Sequence, residues 1–193
     1  MFRKVLCLII PLSLLFSGCT GTREIDKASI VETITVKLQE GEMEYGFYLI
    51  SDSEKVKSIS IKADSFQNAC KSAQDKYIPN IVFDKINLIL FDENLNKKSL
   101  INDINFITHQ SDLSPLIYIS VCDTDTLKRM EKEKDMPEQL RYHIDMLKKK
   151  ENKVHIYSLS IFNYINSDKS SYLYITSIKS KDEITANSLK LLI

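Results

Sequence analysis

An α+β domain built on a mixed β-sheet with packed helices is the fold class this sequence predicts. Three observations predict it. Two alternating apolar runs flank a turn at Gly41, the mark of a β-hairpin. Two nearly uninterrupted apolar runs, residues 86–91 and 116–121, each follow a stretch with helical spacing, so they read as buried strands. Helices and then further strands close the chain. Three strands, an alternation of helix and strand, then helices and strands suggest a mixed sheet with helices against it, locally α/β-like in the middle.

Residues 29–38 form the first strand, with Ile30, Ile34, Val36 and Leu38 on one face and Glu32 as the exception. Residues 39–42 turn, and residues 43–50 return with Met43, Tyr45, Phe47 and Leu49 on one face. Residues 51–55 are loop and 56–63 a third, shorter strand. Asp64 or Ser65 caps a helix to about Tyr77, because Phe66, Ala69, Cys70, Ala73 and Tyr77 recur at helical spacing; Pro79 and Asn80 stop it. Residues 94–109 are the next helix, with Leu100, Ile101, Ile104 and Ile107 inward, and residues 112–115 break it. Residues 124–134 make a charged helix with a solvated face. Pro137 suits the first turn of a further helix carrying Leu140, Ile144 and Leu147, and Lys148, Lys149 and Lys150 place cations at its negative pole. Residues 155–165 are readable as helix or strand, with helix preferred. Residues 172–178 are a strand, and residues 189–193 supply a last one.

Ahead of this domain lies a leader. Arg3 and Lys4 precede an apolar run over residues 5–16, then come Ser17, Gly18 and Cys19, and the chain turns polar at Thr20. A basic start, an apolar middle and small residues before the cut define a secretory signal, and a cysteine at the cut makes it lipobox-like. The apolar run is too short to span about 30 Å of hydrocarbon as a helix. An uncleaved anchor and a plain secretory signal are the alternatives; the order of regions favours a lipoprotein. The expected organisation is a signal peptide over residues 1–18, a tether over 19–28 carrying a diacylglyceryl lipid on Cys19, and one domain over 29–193. No cofactor besides that lipid is expected.

Composition excludes more than it assigns. The chain has 26 basic and 26 acidic residues, so no basic excess points to nucleic acid. Its 4 glycines, Gly18, Gly21, Gly41 and Gly46, build neither a phosphate loop nor a dinucleotide fingerprint. The histidines His109, His143 and His155 are scattered, with no metal spacing, so surface or capping roles are expected. Asp123-Thr124-Asp125 resembles the start of a calcium loop but lacks its third acid and glycine; capping by Asp123 or Thr124 is expected instead. No serine lies in a nucleophile elbow. Cys70 and Cys122 read as small buried hydrophobes, although an oxidising compartment permits a bridge between them. The lysines around Lys148 could touch an anionic membrane, but such a patch more often means a solvated helix end. Nothing here assembles a catalytic or metal site.

The residues after Cys19 carry a family signal. Gly18-Cys19-Thr20-Gly21-Thr22-Arg23-Glu24-Ile25 resembles the start of Ger(x)C-type spore germination lipoproteins, which run from the lipid cysteine through Arg-Glu-Ile into an alternating strand. The helix over residues 66–77, the buried strand over 85–91 with its Asp92-Glu93 turn, and the helix and strand that follow continue the same order. Thr20 and Gly21 replace the Trp and Asp usual there, and the large C-terminal region common in the family is not in this sequence, which looks like the family's N-terminal domain standing alone or a truncated member. The resemblance implies a non-enzymatic lipoprotein subunit of a nutrient-germinant receptor, working beside integral membrane subunits at the extracytoplasmic face of the inner spore membrane. A lipid-anchored solute-binding protein of a transporter is the alternative, disfavoured because it usually needs two lobes; a surface hydrolase lacks a nucleophile and base. Arg23 and Glu24 follow the anchor closely, so they are expected either to dock the tether onto the domain as an ion pair or to orient the domain against its membrane partner.

Overall fold

The computed structural model describes residues 29–50, 56–76, 81–110, 113–167 and 172–192. The chain forms a mixed sheet covered by helices on both faces, the architecture that buries strands on either side. In chain order come β1 (Ser29–Gln39), β2 (Glu42–Leu49), β3 (Lys57–Lys62), α1 (Phe66–Lys76), β4 (Ile81–Val82), β5 (Leu88–Asp92) and α2 (Lys97–His109). Then follow β6 (Tyr118–Cys122), α3 (Thr124–Met130), α4 (Met136–Lys150), α5 (Ser158–Ile165), β7 (Tyr172–Lys179) and β8 (Thr185–Leu192). Across the sheet the order is β3-β2-β1-β5-β6-β7-β8, and β4 pairs with the start of β1. β1, β5, β6 and β7 run parallel; β3, β2 and β8 are antiparallel to their neighbours.

The hairpin forms as its alternation predicts, with Glu40 and Gly41 at positive φ in the turn. The face of β1, however, changes partway along. Val31 pairs with Leu49 and Thr33 with Tyr48, so Glu32 is one extra residue, a β-bulge. Beyond it Ile34 and Val36 face one core; before it Val31, not Ile30, does. The bulge accounts for the misfit of Glu32 in the alternation, because each residue after it is shifted by one face.

The two faces hold separate cores. On the first, Phe66, Ala69 and Ala73 of α1, Leu100, Ile104 and Ile107 of α2 and Ile161 of α5 pack on Ile34, Phe47, Ile89 and Ile119. On the second, Leu127 and Met130 of α3 and Leu140, Ile144 and Leu147 of α4 pack on Tyr48, Leu88 and Leu90. Residues 88–91 are buried throughout, as a strand covered on both faces requires. Ile101, expected inward, is only half-buried, whereas Asp103 on the same helix is buried.

Boundaries differ where side chains rewrite them. The second long helix starts at Lys97, not residue 94, because Asn94 and Asp92 close a turn and the Asn96 side chain caps Lys98 and Ser99. The charged helix stops at Met130 and is capped by Asp123. Residues 155–157 are not helical: His155 bridges Ile175, Tyr157 bridges Tyr118, and Ile156 accepts from Ile119 N–H, so the helix begins only at Ser158. The last strand is longer than expected, because β8 pairs with β7 along its whole length.

Candidate functional site

The residues singled out for the membrane, Cys19, Arg23 and Glu24, lie outside the described residues, as does the leader. The domain itself shows how its other chemistry-bearing side chains are used.

In open α/β sheets ligands bind beyond the carboxyl ends of the parallel strands. Here that edge carries Asp92, Asp123 and Ser180, and local structure consumes them. Asp92 Oδ1 accepts from the N–H and the side-chain amide of Asn94 at 2.9 and 2.8 Å. Asp123 Oδ1 accepts from Thr126 N–H at 2.9 Å and from its hydroxyl at 2.6 Å. Thr126 Oγ1 in turn lies 3.0 Å from Ser180 Oγ, tying α3 to the end of β7. Arg129 donates to the Ser180 carbonyl and to both oxygens of Glu133. The edge is a set of caps and ties. The calcium-like triplet is thereby a helix start, as expected.

The histidines stay apart. His109 Nδ1 lies 2.6 Å from the Asn105 carbonyl at the end of α2, with its ring edge-on to Phe162. His143 sits edge-on to Tyr142. His155 packs against Tyr164, and burial, with the nearby Lys148 charge, lowers its pKa from the ordinary value. Among the described residues no group of three or more metal-ligating side chains converges.

Among the described residues the two cysteines, Cys70 and Cys122, are free. Cys70 packs in the first core and is half-buried, less than its place on the apolar stripe predicts; burial pushes its thiol up to about 12. Cys122 is fully buried in the second core, on the opposite side of the sheet. Burial raises its pKa well above the ordinary value. Lys148 donates to the carbonyls of Asn152 and Val154, which closes the end of α4 as a solvated helix terminus.

One buried polar cluster escaped the sequence reading. Asp103, on the inward face of α2, accepts from the Tyr45 hydroxyl at 2.8 Å and from Phe66 N–H at 3.2 Å. It therefore caps α1 from another helix. Burial raises the Asp103 pKa, while both hydrogen bonds oppose the rise. A small open groove of about 270 Å³ lies beside it, walled by Phe66, Cys70, Phe83 and Phe106. No helix among the described residues is long and apolar enough to cross a membrane.

Residues 21–180 match the model of the spore germination protein N-terminal domain. The chain belongs to this spore germination family. The match runs from the segment before β1 to the end of β7, so it covers most of the sheet and the five helices of the described residues. Neither the comparison with curated proteins nor that with solved structures gives a match. A role in germination follows from the family. In this germination domain the carboxyl-end edge is spent on caps.

Proposed function

We propose that this chain is the lipid-anchored, extracytoplasmic subunit of a spore nutrient-germinant receptor, acting without catalysis beside integral membrane subunits. The family match over residues 21–180, directly behind a leader that ends in Ser17-Gly18-Cys19, carries the reading. A diacylglyceryl group on Cys19 supplies the anchor, and the mature protein sits on the outer face of the inner spore membrane. The tether over residues 20–28 holds the start of β1 within about 30 Å of the lipid, at roughly 3.3–3.6 Å per residue. Arg23 and Glu24 lie in that zone, where they either dock the tether on the domain or meet the outer loops of an integral subunit.

The use of Asp92, Asp123 and Asp103 as structural acceptors supports a binding and coupling role over an enzymatic one. A single continuous sheet supports a receptor subunit over a two-lobed solute-binding protein. Cys19→Ala tests the anchor: lipid labelling and membrane retention are lost, and nutrient-triggered germination falls with them. A Cys19→Ala chain that is processed normally and stays on the membrane overturns the reading.

A further inference from the structure

Large apolar side chains exposed on this domain are not scattered. Among the described residues they are Leu38, Ile50, Leu116, Tyr142, Leu159 and Tyr172. The strand register places four of them at one end. Thr33 pairs with Leu88 and Leu88 with Tyr118. Ser120 pairs with Thr176, so Tyr118 and Tyr174 each lie two residues nearer the strand starts, with residues 155–157 bridged between them. Ile50, whose N–H bonds to Ile30, lies beyond Thr33 on the side where the strands begin. Leu116 and Tyr172 lie two residues beyond Tyr118 and Tyr174 on the same side. Leu159 joins them, because its N–H bonds to the carbonyl of Pro115. Leu116 and Ile50 are 60% and 54% exposed. This is the end at which β1 starts, ten residues after Cys19.

The same end carries cations on apolar platforms. Lys190 Nζ lies 3.6 Å over the Tyr172 ring, and Lys153 Nζ 4.7 Å over Tyr174. Lys57 opens β3 beside Leu49. Of the acids nearby, Asp84 lies 3.7 Å from Lys85 and Glu32 3.7 Å from Arg141, while Asp145 accepts from the Tyr118 hydroxyl. The opposite end, at the β1–β2 turn, is acidic, with Glu40 and Glu42 sharing Lys62. Exposed Leu and Ile, tyrosines and flanking lysines are the composition of a surface that rests in the interfacial layer of an anionic bilayer.

The geometry points to this rim as a second, non-covalent membrane contact, which lays the strand-start end of the domain onto anionic lipid. The lipid surface is favoured as occupant because the short tether already confines this end near it and the lysines match its charge. The inference rests on the lipid-anchor reading for its orientation, and the two are separable by experiment. The chain contains no tryptophan, so one introduced residue is a unique reporter. Leu116→Trp, Leu159→Trp and, at the far end, Leu38→Trp are placed in the full mature lipoprotein. Each is added to vesicles of phosphatidylglycerol and phosphatidylcholine with brominated acyl chains. The expected result is a blue-shifted emission, quenched at least twofold, for Trp at 116 and 159, with neither effect at 38. Flotation with the vesicles reports the anchor separately. Flotation without quenching at 116 and 159, or with equal quenching at 38, overturns the rim and leaves the anchor; a protein partner would then own this surface. Quenching without stable flotation upholds the rim and removes the anchor. Neither flotation nor quenching overturns both.

Discussion

Asp103 of α2 holds the hydroxyl of Tyr45, a residue of β2 that is 58 positions earlier in the chain, at 2.8 Å inside the first core. Its other oxygen holds Phe66 N–H at the start of α1, so one carboxylate joins two helices and a strand. Burial raises its pKa, so over the acid range above the ordinary 3.8 the folded domain holds a proton that the unfolded chain has lost. Stability contributed by this group is present below 3.8 and is lost as the pH rises through its folded-state value. Asp103→Asn should remove that slope, as read by urea denaturation across the acid range. Asp103→Ala should cost about 1–3 kcal/mol for each donor left unpaired.

His155 has the opposite sign. Burial, helped by Lys148, holds its pKa below the ordinary 6.5, so the unfolded chain takes up the proton first as the pH falls. Its contribution is intact above 6.5 and is lost as the pH drops through the folded-state value. His155→Gln should flatten the fall in denaturation midpoint between about pH 7.5 and pH 5.5. An unchanged slope would place the acid sensitivity elsewhere.

Cys70 and Cys122 lie in cores on opposite sides of the sheet, so they are expected to remain thiols even in an oxidising compartment. Mass spectrometry of the unreduced protein should find both free. Alkylation under native conditions should be slow at both and slower at fully buried Cys122. A Cys70–Cys122 bridge would contradict the fold itself.

Gly46 is needed for what stands opposite it. A Cβ there would meet Thr35 Oγ1 at 2.6 Å and Tyr48 Cε2 at 3.3 Å. Thr35 also hydrogen-bonds the Tyr48 hydroxyl, so there is little freedom to yield. Gly46→Ala should lower stability by about 1–3 kcal/mol, as overpacking does, measured by thermal unfolding. Gly46→Ala with Thr35→Ser keeps the hydroxyl in place and should gain nothing back; Thr35→Ala should recover part of the loss.

Asp123→Ala should cost about 0.5–2 kcal/mol through loss of the α3 cap, and more if Thr126 and Ser180 lose their alignment. Asp123→Asn keeps an acceptor and should retain most of the stability.

Most helix faces and both central strands were legible, because periodicity records burial directly: Phe66, Ala69 and Ala73 on α1, Leu140, Ile144 and Leu147 on α4. What local pattern could not carry was long-range. Asp103 broke the apolar stripe of α2 with no local sign that Tyr45 and Phe66 would satisfy it. β4 has only two residues and exists because β1 offers it a free edge. Residues 155–157 are readable locally as helix or strand, and it is Tyr118, Ile119 and Ile175 that draw them into bridges. The membrane-facing candidates were legible only as a leader and a tether. The apolar rim was invisible in one dimension, since Ile50, Leu116, Leu159 and Tyr172 fall at one end of the sheet only once the register is known.

The extra residue at Glu32 has a consequence for anyone comparing members of this family. A homologue whose first strand is regular must be aligned with a one-position gap there. Without it, every position from Ser29 to Val31 is matched to a site on the wrong side of the sheet, and substitutions that preserve the core will be scored as polarity reversals. That short stretch opens the first strand, so the error would fall at the entry to the domain.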